Sequence, residues 1–296
     1  MAGGQSSFGL LGEDGPVRRL LALAALLLTV TGCTGGGDQS AGPTPSPSSS
    51  GSSSPASPSA TPSRARPPKA PRDRACYKLS YDEAVAPTTE ARSVACTGTH
   101  TSMTYAVGGL DTVVDGHLLA VDSKHVQAQV ASECPRRLPS FLGGTLDDLH
   151  LSMLRSVWFT PTVETSDAGA DWYRCDVIAV AADGRLAPLS TGMAGVLGTS
   201  AGRDRFGMCG TAQPGTASFH RVICSGDHSW RAIRVVHFST NDYPGPGAAQ
   251  QAGQTICKDA GQSAASNSLD FTWSYEWPTA QQWAAGQDYG LCWVPD

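Results

Sequence analysis

The chain has 296 residues, with 33 Gly, 20 Pro, nine Cys and only 16% charged residues. So many cysteines argue against an ordinary cytosolic globule, and no Cys-x-x-Cys or His-x3-5-His spacing supports a zinc framework. The net charge of −5 excludes a nucleic-acid binder that works by neutralising phosphates.

Arg18 and Arg19 precede an apolar run from Leu20 to Val30, which ends in Val30-Thr31-Gly32-Cys33. A basic n-region, a short h-region and a small-residue cleavage site make an export signal. The run falls short of the roughly 20 apolar residues that a transmembrane helix needs. The ending resembles a bacterial lipobox, which implies cleavage before Cys33, a lipid on its sulfur and a signal peptide over residues 1–32. Buried acyl chains, at about 0.8 kcal/mol per CH2, would then hold the protein on the outer face of the cytoplasmic membrane.

Residues 33–75 form the next region. From Thr34 to Ala75 the chain is Ser, Pro and Gly with hardly any aliphatic residue. Such a segment buries too little to offset its ordering entropy, so a disordered tether is expected. It would average about 35 Å end to end and reach roughly 130 Å fully extended. From Asp73 onward, 15 basic residues face 23 acidic ones, so the expected head is acidic.

The remaining eight cysteines divide four and four: Cys76, Cys96, Cys134 and Cys175, then Cys209, Cys224, Cys257 and Cys292. Val94-Ala-Cys-Thr-Gly-Thr-His-Thr101 matches Val222-Ile-Cys-Ser-Gly-Asp-His-Ser229. Pro161-Thr162 and Pro278-Thr279 stand the same distance before Cys175 and Cys292. Between them Gly169 matches Gly286, Asp171 matches Asp288 and Trp172 matches Tyr289. Repeats of this kind predict a duplicated unit. The expected fold class is α+β, in two tandem disulfide-stapled modules over 76–180 and 208–296, joined by a segment over 181–207.

In chain order, Ser93–Cys96 and His220–Cys224 read as short strands entering a turn whose glycine permits a positive φ. Val126, Val130 and Cys134 share one helix face, with Asp122 or Ser123 as cap and Pro135 marking the end. The counterpart around Ala249–Cys257 is a weaker helix signal and carries Gly253. Trp230 to Phe238 reads as a strand. Alternation over Leu149, Leu151 and Met153 towards Phe159, and over Leu269, Phe271, Trp273, Tyr275 and Trp277, predicts two more.

Eight cysteines allow 105 pairings, and internal, matched pairing leaves three. The favoured set staples a local hairpin and ties a helix to a strand: Cys76–Cys96, Cys134–Cys175, Cys209–Cys224 and Cys257–Cys292. Each bridge adds about 2–4 kcal/mol, which matters in modules with modest cores.

The order Cys, Val-x-Cys-x-x-x-His, helical Cys, then Trp158-Phe159-Thr160-Pro161, Gly169, Trp172 and Arg174-Cys175-Asp176-Val177 resembles the actinobacterial septum formation-related domain. The second half departs from it, with Leu291-Cys292-Trp293 in place of Arg-Cys-Asp. The resemblance implies an extracytoplasmic, membrane-anchored domain linked to envelope and septum processes. It implies no catalytic residues.

His100 and His228 are matched titratable groups. As binding residues they would present a ligand or base at equivalent sites; structurally, each would close its turn by a side-chain to backbone hydrogen bond. The second reading is favoured. Gly198-Thr199-Ser200-Ala201-Gly202 fits the G-x-S-x-G pattern, but a nucleophile elbow needs a strand before and a helix after. A hydrolase would pair Ser200 with His220, His228 or His237. Trp273, Trp277, Trp283 and Trp293 are sugar-stacking candidates. Trp273 and Trp277 read as core, and Trp283 is the best exposed candidate. The overall expectation is a non-enzymatic binding module with no cofactor or metal, partnered by an envelope protein or a cell-wall component and not by nucleic acid. A serine hydrolase or a wall-glycan binder is the alternative.

Overall fold

The computed structural model describes residues 67–296. The expected signal peptide, the expected lipid-bearing Cys33 and most of the expected tether lie outside the described residues. No helix among those described is long and apolar enough to cross a membrane.

The first half runs β1 (Cys76–Tyr77), α1 (Tyr81–Val85), β2 (Ser102–Gly109), a hairpin of β3 (Val113–Val114) and β4 (His117–Leu118), α2 (Lys124–Leu142), α3 (Leu146–His150), β5 (Leu154–Phe159), α4 (Val163–Asp167), β6 (Trp172–Ala182) and β7 (Arg185–Ala187). A 3-10 turn (Val196–Gly198) and α5 (Ser200–Phe206) follow. The second half runs β8 (Met208–Gly210), β9 (Arg221–Ile223), β10 (Trp230–His237), α6 (Pro246–Ala252), α7 (Gln254–Ala264), β11 (Ser274–Glu276), α8 (Ala280–Ala284) and β12 (Tyr289–Pro295). The fold is α+β.

Two antiparallel sheets carry the molecule, ordered β1-β2-β6-β5 with β7 beside β6, and β11-β12-β10-β8-β9. Read from β1 and from β8, four strands follow the same path. Each sheet has a register shift at the same place: between Thr104 and Ala106 opposite Cys175, and between Ala232 and Arg234 opposite Cys292. The four bridges are Cys76–Cys96, Cys134–Cys175, Cys209–Cys224 and Cys257–Cys292, the pairing expected from the sequence.

The helix α2 is longer than expected. Ser123 caps it by accepting from the Val126 N–H, but Pro135 does not end it. Val126, Val130, Cys134, Leu138 and Leu142 are all buried on one stripe, and Gly143 closes the helix in a left-handed conformation with its N–H on the Pro139 carbonyl. A proline inside a helix costs about 3 kcal/mol. Both Pro135 and Pro139 lie inside this helix, and the burial of Leu138 and Leu142, about 1.5–3 kcal/mol each, opposes their cost. In the second half the helix does break, at Gly253. A Cβ there would lie 2.2 Å from the Tyr275 ring, so the chain yields to the aromatic.

Four further expectations are corrected. Ser93–Cys96 is not a strand; it holds one isolated bridge, Val94 to Cys76. Gly98 and Gly226 are not among the positive-φ glycines; their N–H groups close the turns onto Ala95 and Ile223 at 3.0 and 2.9 Å. Leu149 belongs to α3, where Thr145 and Asp148 form a capping box. Strand β11 keeps only Ser274–Glu276, and Leu269 is 93% exposed. In both regions a local cap or turn overrides apolar alternation: the reciprocal Thr145–Asp148 bonds in one, and an Asn267 turn accepting the Leu269 N–H in the other.

The expected connecting segment over 181–207 is packed structure. Met193, Leu197 and Phe206 are fully buried, and β7 extends the first sheet. The backbone also crosses the seam: Met153 N–H donates to Phe206 O and Met208 N–H to Leu151 O. One core therefore runs through both halves, joining Met153, Leu154 and Leu197 to Phe206, Met208, Leu291 and Trp293. At the other end, Arg74 and Ala75, expected in the tether, exchange hydrogen bonds with Thr104 and sit with the sheet.

Candidate functional site

The matched histidines occupy matched turns. His100 Nδ1 lies 2.9 Å from Gly98 O, and His228 Nδ1 lies 2.7 Å from Gly226 O. Each closes the turn after a bridged cysteine. Beyond that they differ. His100 is buried, and its Nε2 has no hydrogen-bond partner among the described residues. His228 is half-buried and meets Asp296 Oδ2 at 2.9 Å, a carboxylate that also accepts from Arg231 Nε at 2.7 Å. Burial opposes ionisation of Asp296, but the bonds from Arg231 and His228 outweigh it and hold its carboxyl below the usual range. Cys209 lies beside His228 and Asp296. Its sulfur is committed to Cys224, so the trio lacks the thiolate a metal would need.

Ser200 is exposed and begins α5, capped by Thr199, with a 3-10 turn before it instead of a strand. The strand-to-helix elbow of the G-x-S-x-G pattern is not formed. The histidines that would have served it are engaged elsewhere: His220 is 3.6 Å from Asp183 and His237 is 2.9 Å from Asp147.

The tryptophans separate by depth. Trp293 is fully buried, which removes it from any sugar-stacking surface. Trp273 and Trp277 are half-buried beside Cys257 and Tyr275, so each is only partly core. Trp283, expected to be exposed, lies on α8 and is half-buried. Phe238 and Tyr243 meet it edge-on at 5.2 and 5.8 Å, and its indole N–H donates to Asn241 O. Asp171 and Asp288 are both exposed.

Sequence reasoning missed the pair Arg174 and Asp176 as a buried unit. Both lie on β6, two residues apart and so on one face. Arg174 is 3% exposed and Asp176 is fully buried. Asp176 accepts from Ser102 and Thr104 at 2.7 and 2.8 Å. Arg174 Nη2 stands 3.2 Å from Asp176 Oδ2, with an angle too poor for a hydrogen bond. Its guanidinium packs over Tyr77 at 3.7 Å and Phe159 at 4.5 Å. Burial raises the Asp176 carboxyl above the usual range, against the opposing pull of Arg174, Ser102 and Thr104. The signal in the sequence was the alternation Arg-Cys-Asp-Val in an apolar strand, which puts two charges on one buried face.

What these observations define is an α+β head of two joined sheets, stapled by four bridges and suited to an oxidising, extracytoplasmic setting. Residues 75–292 match the septum formation family in one span, and the chain belongs to that family. No curated protein and no solved structure matches the chain.

Proposed function

We propose that the protein is a lipid-anchored envelope protein whose head binds a septum or cell-wall component without catalysing a reaction. The observation that carries this reading is the septum formation match over 75–292, lying behind an export signal, a lipobox cysteine and a Ser/Pro-rich segment. In this reading Cys33 carries the lipid, the tether lifts the head from the outer membrane face, and the partner is an envelope protein or a wall polymer. The head is an internal duplication. Equal strand order, equal register shifts and matched bridges support that reading, and the continuous core makes the two copies one folding unit.

Cys33→Ser should move the protein from the membrane to the soluble fraction and abolish incorporation of labelled fatty acid. Unchanged fractionation would remove the anchor from this account. Crosslinking at the division site tests the partner. Recovery of no envelope protein or wall fragment, together with normal division in a deletion strain, would remove the septal role. The trio of Phe238, Tyr243 and Trp283 favours one narrower version, stacking on a wall glycan. Trp283→Ala should then weaken peptidoglycan pull-down, and unchanged binding would dismiss it.

A further inference from the structure

The two matched bridges that staple the first strands differ in exposure. Cys209 is fully buried and Cys224 is 8% exposed, with Gly207 packed so closely that a Cβ would lie 3.0 Å from the Cys224 sulfur. Nearby, Arg231 is held by Asp204 and Asp296. In the first half Cys76 is buried, but Cys96 is half-buried, the most open of the eight bridged cysteines. It lines a pocket of about 290 Å3 together with Arg72, Asp73, Arg74 and Ser93. Arg74 is paired with Asp73 at 3.5 Å and its guanidinium lies 4.4 Å over the Phe141 ring, and Arg72 lines the same pocket. The pocket lies where the tether enters the head.

We propose that Cys76–Cys96 is a thiol–disulfide exchange site, addressed by the dithiol of an extracytoplasmic thiol oxidoreductase. The attacking thiolate bonds to the Cys96 sulfur, the Cys76–Cys96 bond breaks, and Cys76 leaves as a thiolate that takes a proton from water. The partner's second thiol, after losing its own proton, displaces the Cys96 sulfur, which is protonated in turn. Two electrons pass to the head, and the partner leaves as a disulfide. Exchange rates depend on access to the attacked sulfur and on stabilisation of thiolates by nearby cations. The open Cys96 supplies the first, and the two arginines that line the pocket, one of them paired with Asp73, are the cations available for the second.

Opening this bridge is local. It closes a loop of sequence separation 20; among the described residues between α1 and β2 the one β-bridge is Val94 to Cys76, and the further tertiary backbone bonds lie towards the ends of the stretch, at Pro87, His100 and Thr101. Releasing that loop leaves the β2–β6 and β5–β6 pairings intact. Such low-protection segments open without global unfolding. The partner's compartment rests on the proposed extracytoplasmic location; the chemistry does not.

The test uses the full chain under native conditions. Each bridge is followed by timed alkylation and peptide mass spectrometry after addition of reduced thioredoxin, glutathione or cysteamine. Cys76 and Cys96 should be labelled at least about tenfold faster than Cys209 and Cys224, with the circular dichroism spectrum unchanged. Charge reversal in R72E/R74E should slow reaction with anionic glutathione several-fold while leaving cationic cysteamine equal or faster. The proposal is overturned if all four bridges react together, if Cys209–Cys224 reacts first, or if labelling of Cys96 tracks global unfolding. Equal slowing of both small thiols by R72E/R74E would remove the guanidiniums from the account. None of these outcomes depends on where Cys33→Ser fractionates, so the two readings fail separately.

Discussion

Strands β6 and β12 hold the same place in their sheets, and each is bridged to its helix from the same face. Their opposite faces differ. On β6 that face carries Arg174 and Asp176, covered by Tyr77, Phe159 and the α1 region. On β12 it carries Leu291 and Trp293, and Trp293 meets the Phe219 ring edge-on at 5.2 Å. The lesson is that a disulfide constrains the face it leaves from, because its geometry tolerates little change. The far face follows whatever covers it. In the first half the cover is local and leaves a polar pair; in the second the face turns into the shared core, where an unpaired charge would be prohibitive.

Asp176→Ala would break this contrast most severely. It strands the Arg174 charge and removes the acceptor of Ser102 and Thr104, so a loss of about 3–5 kcal/mol is expected from chemical denaturation with bridges intact. The double variant R174L/D176V, which imitates the apolar second half, should recover the part due to the stranded Arg174 charge, while Ser102 and Thr104 still lack their acceptor. Failure to recover would show that the ion pair itself is needed. Trp293→Ala should cost a similar amount, about 3–5 kcal/mol, and far more than Trp283→Ala at its half-exposed position. Equal effects would refute the depth assigned to the two tryptophans.

A smaller effect is expected at Gly253. Gly253→Ala drives a methyl into the Tyr275 ring and should cost about 1–3 kcal/mol by overpacking. A neutral result would mean that the helix break is not set by that contact.

The smallest effect lies at the seam. His150 stacks on Tyr289 at 3.7 Å, near Asp147, Asp288, Arg155 and His237. Burial depresses its pKa first, and Asp147 and Asp288 only partly restore it. Its folded value is therefore below the unfolded value of about 6.5. Its contribution to stability is full above that pH and is lost as pH falls through the folded value. Thermal melts at about pH 7.5 and 5.5 should show this loss, and His150→Phe, which keeps an aromatic on Tyr289, should reduce it. An unchanged pH dependence in His150→Phe would assign the effect to other groups.

Much of the architecture was legible because its signals are local or covalent. The matched Cys-x-x-x-His turns and the capping Ser123 follow from local spacing, and the repeat narrowed the bridge pairings to three, one of which the structure holds. The capping boxes at Ser80, Thr145 and Thr279 were equally present in the residues, and apolar alternation at Leu149 and Leu269 obscured what caps and turns decide. The candidate site was less legible. Trp283 read as the best exposed candidate, yet it is half-buried, and Phe238 and Tyr243 reach it from a loop some 40 residues away.

The sequence by itself determined the family and the α+β class and favoured the observed bridge pattern, since each rests on motifs and local patterns that the residues carry. Only the tertiary structure decided that α2 continues through Pro135, that residues 181–207 are core, that Arg174 and Asp176 are buried, and that Cys96 is open while Cys224 is covered. Those facts depend on which faces meet across long sequence separations, and burial against a distant partner leaves no local periodicity to read.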